Sequence, residues 1–107
     1  MNRVRACVVI ATLALGSAGL FAAAGNAAKG KAVFEQCSVC HNADSTEKKM
    51  GPGLKGLFKK DKMSNDKKPT EANVRAKIDE GGNGMPSYKD QLSDTEKDDL
   101  IAYLKTL

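Results

Sequence analysis

Tryptophan is absent from this chain of 107 residues, and aromatic side chains of every kind make up only 5% of it. None of the five is interleaved with the lysine runs, so the stacking platform that grips single-stranded nucleic acid is missing. A large excess of one charge is missing too. The 17 basic residues stand against 13 acidic ones, a net +4, which is too mild for an obligate nucleic-acid binder. No segment alternates apolar and polar residues as a strand does. Collagen-like, mucin-like and other low-complexity tracts are absent as well. The length allows one small domain and excludes a large enzyme with its own substrate pocket.

Part of that length is not domain. Asn2-Arg3-Val4-Arg5 gives a positive start, Ala6 to Leu15 is almost wholly apolar, and small residues follow through Ala22-Ala23-Ala24 and Gly25-Asn26-Ala27. This is the layout of a secretory signal peptide, residues 1–24, with cleavage after Ala24 or after Ala27. Retained, the segment would instead anchor the chain in a membrane. Cys7 lies before the apolar run and would leave with the signal. The exported domain, residues 25–107, keeps two cysteines, 15 basic and 13 acidic residues, and only Phe34, Phe58, Tyr88 and Tyr103 as aromatics. A domain that small buries little surface of its own, so something besides side chains is expected to fill its centre.

The pattern predicts an all-α domain of three main helices and one long loop. The first helix is expected from about Ala28 into Cys37. The second spans Thr70 to Glu80 and is stopped by Gly81-Gly82. The third opens on the capping box Ser93-Asp94-Thr95-Glu96, after which Leu100, Ile101, Leu104 and Leu107 recur at helical spacing. From about Asn42 to Lys68 runs a lysine- and glycine-rich connection, long enough to imply a function or something to wrap.

Cys37-Ser38-Val39-Cys40-His41 carries the chemistry. The spacing C-x-x-C-H suits covalent haem attachment. Two thiols three positions apart reach the two vinyl groups along one haem edge, and the adjacent His41 can bind the iron. Other readings of the cluster fare worse. A thioredoxin-like pair needs a βαβ setting. A zinc site wants four ligands, and Cys37, Cys40 and His41 make three. A Cys37–Cys40 disulfide would close a tiny loop and staple little.

The sixth iron position decides between electron transfer and ligand chemistry. Met50, Met63 and Met85 are the candidates within the domain. Any of them could be core filler. Met85 suits ligation best, because Gly81-Gly82-Asn83-Gly84-Met85-Pro86 lets backbone approach a flat ring, and Pro86 stiffens the loop. Met63, in the lysine-rich loop, is the alternative.

Cys37-Ser38-Val39-Cys40-His41, Gly51-Pro52-Gly53-Leu54-Lys55-Gly56-Leu57, Met85-Pro86-Ser87-Tyr88 and the terminal Leu92 to Leu107 follow one another in order. Together they resemble the small monohaem bacterial cytochromes c over nearly the whole exported domain. The resemblance implies that fold, with the loop wrapped around one haem c. It implies thioethers at Cys37 and Cys40, axial ligation by His41 and Met85, and a Pro52 carbonyl accepting from the His41 ring. Gly30 and Phe34 would meet the last helix near Tyr103. The lysine-rich insertion around Lys59-Lys60-Asp61-Lys62 and Lys67-Lys68 departs from the family pattern, so the loop's geometry and any special partner stay open.

The function expected is that of a periplasmic carrier of single electrons, not an enzyme. The alternative is a haem protein with a labile sixth ligand, acting in ligand binding or peroxide chemistry. From Gly25 to Thr70 the chain has 10 basic and 5 acidic residues, and from Glu71 to Leu107 it has 5 and 8. The Lys48–Lys68 cluster would then steer donor and acceptor proteins with acidic docking surfaces. Nucleic acid is not expected as a partner, and a membrane only through redox partners or a retained N-terminus. A monomer is expected.

Overall fold

The computed structural model describes residues 25–107. The signal segment expected at residues 1–24 lies outside the described residues. Three α-helices, α1 (Ala27–Phe34), α2 (Glu71–Glu80) and α3 (Asp94–Leu104), are joined by irregular chain that holds one 3-10 turn, Leu57–Lys59. Among the described residues there is no strand, only an isolated bridge between Gly82 and Met85.

Each helix begins where a short polar side chain satisfies its first amides. The side-chain oxygen of Asn26 accepts from Lys29 N–H, and that of Thr70 from Asn73 N–H. Ser93 and Glu96 form the complete reciprocal capping box that the sequence predicts. The expected first helix is too long by three residues. It ends at Phe34, because the Cys37 amide turns back to the Phe34 carbonyl at 2.7 Å and tightens the chain into successive turns through Cys40. The Asn42–Lys68 connection is not wholly structureless either, since it contains the Leu57–Lys59 turn.

α1 packs on α3, and α2 touches α3 more sparingly. Gly30 makes the first crossing close. A Cβ there would overlap the Asp99 carbonyl oxygen and lie 2.8 Å from Tyr103 Cβ. One turn on, the rings of Phe34 and Tyr103 stand 5.4 Å apart and tilted by 54°, a favourable aromatic geometry. The buried Asp99 carboxylate also accepts from Asn26 N–H at 2.7 Å, tying α3 to the start of α1. α2 is joined to α3 by ion pairs of Arg75 with Asp98 and Asp94, Lys105 with Glu71, and Lys97 with Asp79.

The buried core consists of Phe34, Leu57, Val74, Ile78, Leu92, Leu100, Ile101 and Leu104. All three helices and the loops on both sides of α2 contribute to it. Cys37, Leu54, Met63 and Tyr88 pack at its margin. Eight buried apolar side chains are few for a domain of this size, in keeping with a centre completed by something other than protein.

Candidate functional site

The turns after α1 bring Cys37, Cys40 and His41 onto one short stretch of backbone. The Cys37 carbonyl accepts from Cys40 N–H at 3.2 Å and from His41 N–H at 3.0 Å. Both thiols are free and partly buried. Burial raises the Cys37 thiol above its ordinary value, and the neighbouring Cys40 adds to the shift. Among the described residues no three His, Cys, Asp or Glu side chains converge as a metal-binding group, so the pair and His41 do not assemble the zinc site weighed above.

The segment Met50–Gly53 folds back beneath this turn. Gly51 N–H donates to the Cys40 carbonyl at 2.8 Å. His41 Nδ1 stands 2.8 Å from the Pro52 carbonyl oxygen. A carbonyl only accepts, so Nδ1 carries the ring proton and Nε2 keeps its lone pair free for a metal. An acceptor at this place fixes the ring's rotation and increases its basicity as a ligand. Gly51 permits the approach, since a Cβ on it would run into the imidazole and lie 2.8 Å from Nδ1. In the sequence Gly51 is only the first residue of the Gly51-Pro52-Gly53 motif, and the fold shows that it lies against the ring.

The three methionines fall into different surroundings. Met50 is 79% exposed, with its sulfur 3.9 Å from Cys40 Sγ. Met63 packs against the hydrophobic core. Met85 is half-buried and sits in a loop built for it rather than in the core. Gly81, Gly82, Asn83 and Gly84 all have positive φ, between 53° and 111°. Positive φ is cheap for glycine and tolerated by asparagine or aspartate, and three of these four residues are glycine. Gly82 and Met85 exchange both backbone hydrogen bonds, at 2.9 and 3.1 Å. The loop returns to α2 through Tyr88 N–H, which donates to the Ile78 carbonyl at 3.0 Å, and through the Ser87 hydroxyl, which donates to the Asp79 carbonyl. Burial first, and then Cys37 and Cys40, raise the Tyr88 hydroxyl above its ordinary value.

Residues 27–107 match the cytochrome c family along their whole length. The chain belongs to that family. It is 36% identical over 89 residues to cytochrome c6 of Synechocystis sp., an alignment spanning 82% of this chain and 71% of that protein. The crystal structure of cytochrome c6 from the diatom Phaeodactylum tricornutum superposes with a TM-score of 0.60 at 24% identity, covering 77% of this chain and 93% of the diatom protein. That likeness speaks for the fold. As a cytochrome c the protein carries covalently bound haem c with its iron, and it is an electron carrier rather than an enzyme.

The residues present fit that group. The thiol pair is free and locally fixed, His41 presents the tautomer a metal requires, and the aliphatic core is too small to close the domain unaided. Two contributors were invisible in the sequence. Asp99 and Lys97 are both buried on α3, and no local pattern announces it because their partners lie 73 and 18 residues away.

Proposed function

We propose that this protein is an exported one-electron carrier in which Cys37 and Cys40 hold the haem and His41 and Met85 occupy the two axial positions. The observation that carries the proposal is the hydrogen bond from His41 Nδ1 to the Pro52 carbonyl, directly beside the two free thiols. It leaves Nε2 as the one ring atom able to bind iron.

When bound, the haem supplies an iron whose charge changes by one as an electron arrives from one partner and leaves to the next. The chain's own residues decide how easily that happens. A neutral imidazole and a neutral thioether favour the reduced iron and so raise the potential. Leu57, Val74, Ile78, Leu92 and Leu100 form an apolar core with Leu54 packed against it, and an apolar surround of this kind would act in the same direction. With His41 and Met85 both held by backbone hydrogen bonds, little structure has to move on electron transfer, and no position is left vacant for a substrate.

Residues 1–24 serve as the export signal in this reading, which places the domain in the bacterial periplasm. The start of the family match at residue 27 supports a boundary near Ala24 or Ala27. Among the described residues no helix is long and apolar enough to cross a membrane.

The lysine-rich loop would steer partners. Lys48, Lys49, Lys55, Lys59, Lys60, Lys62, Lys67 and Lys68 are all exposed. The ion pairs among the described residues instead join Arg75, Lys97 and Lys105 to Glu71, Asp79, Asp94 and Asp98. The acidic half of the domain is thus partly neutralised from within, while the loop keeps its charge. An acidic redox partner would be drawn to that pole.

A redox titration of the matured protein tests the proposal. Reversible one-electron behaviour is expected, with a potential that falls in Met85→Ala as the thioether is lost. A potential indifferent to Met85 would remove it as ligand and turn attention to Met63.

A further inference from the structure

The Met85 loop is held from α3 as well as from α2. Lys97 on α3 is 4% exposed, which is unusual for a lysine. Its ammonium lies 2.7 Å from Asp79 Oδ1, in the last turn of α2, and donates to the Lys89 carbonyl at 3.0 Å, at the outgoing end of the loop. Asp79 is itself tied to the loop, because its carbonyl accepts the Ser87 hydroxyl. From the other side, Lys77 Nζ donates to the Gly81 carbonyl at 2.9 Å.

A buried ammonium is costly unless it is paired and hydrogen-bonded, and an apolar side chain would serve helix packing at least as well. Plain packing of α2 on α3 therefore does not call for a lysine at this position. What a lysine does, and a leucine could not, is bind the end of α2 and the outgoing arm of the Met85 loop with one group.

We propose that Lys97, paired with Asp79, is a positioning residue that keeps the 81–89 loop closed and thereby holds Met85 on the iron. The proposal rests on Met85 being the sixth ligand. Freeing the loop would let an added ligand compete more easily for the position Met85 occupies.

The test is an imidazole titration of the oxidised, haem-loaded protein, followed by loss of the far-red band of the iron–sulfur bond. Losing the hydrogen bond to the Lys89 carbonyl and the ion pair with Asp79 should raise imidazole affinity roughly tenfold in Lys97→Met. Asp79→Asn keeps the side chain's size and should raise it about threefold, which preserves the test if Lys97→Met fails to fold. Arg75→Gln cuts other α2–α3 ion pairs without touching the loop, and should leave the affinity within about twofold while lowering the melting temperature.

Wild-type affinity in the foldable Lys97 and Asp79 variants overturns the proposal. So does an Arg75→Gln protein that gains affinity equally, since helix packing alone would then explain the effect. Met85→Ala, titrated alongside, separates the two claims. If its far-red band persists, the ligand assignment fails and the positioning role with it. If the band is lost while Lys97→Met and Asp79→Asn still bind imidazole as the wild type does, only the positioning role fails.

Discussion

Replacing Gly30 with alanine adds a single methyl group at the tightest point of the fold. The added carbon would overlap the Asp99 carbonyl oxygen and stand 2.8 Å from Tyr103 Cβ. The first obstacle is backbone inside α3, so relief requires the helices to separate rather than a side chain to rotate. Separation would also strain the bond from Asn26 N–H to the Asp99 carboxylate and the Phe34–Tyr103 ring contact. Overpacking of this kind costs about 1–3 kcal/mol, and an obstacle made of backbone belongs at the upper end. Alanine recovers about 1 kcal/mol of helix propensity over glycine. The net loss is therefore about 2 kcal/mol, or a melting temperature lower by roughly 8–16 °C for a domain of this size. Thermal unfolding of the haem-loaded protein, followed by circular dichroism, measures it. Ala28→Gly, on an exposed position of the same helix, isolates the propensity effect at about 1 kcal/mol. A Gly30→Ala protein that melts at or above the wild type would refute the reasoning, because the crossing would then have room for a Cβ.

Three further outcomes follow from the site and its surface. Gly51→Ala drives a methyl group into the His41 ring, so the hydrogen bond from Nδ1 to Pro52 should weaken, with about 1–3 kcal/mol of stability lost. Faster exchange of the Nδ1 proton, followed by NMR, checks this, and unchanged exchange contradicts it. The Tyr88 hydroxyl stays protonated to higher pH in the folded state than an exposed tyrosine would, with burial as the leading cause. Its contribution to stability is then fully present below the ordinary tyrosine value of about 10 and is lost as pH rises through the folded value. Tyr88→Phe should accordingly flatten the alkaline limb of a stability profile measured by denaturant titration. Electron-transfer rates with an acidic redox protein should fall steadily as salt is added, and Glu replacements at Lys59 and Lys60 should weaken that dependence. Flat rates across the salt series would contradict steering by the lysine loop.

Much of this architecture was legible because its determinants are local. The Ser93–Glu96 capping box and the Gly81 stop are each written within a few residues, and each occupies its expected place. The end of α1 was not legible. It depends on the Cys37 amide choosing the Phe34 carbonyl three residues back, which no side chain announces. Burial of Lys97 and Asp99 was hidden for a different reason. Charged residues in the first turns of a helix look like a solvated face until another element supplies their partners. Composition favoured Met85 through its glycines, and the four successive positive φ values give that preference a conformational cause. It could not show that Met63 would pack against the margin of the core.

The central claim is that His41 and Met85 together hold the iron, and the visible spectrum of the matured protein with its Met85→Ala counterpart tests it most directly. A low-spin haem is expected whose oxidised form shows the weak far-red band of an iron–sulfur bond, with that band lost in Met85→Ala. A high-spin wild-type spectrum, or a far-red band that survives the replacement, would contradict it.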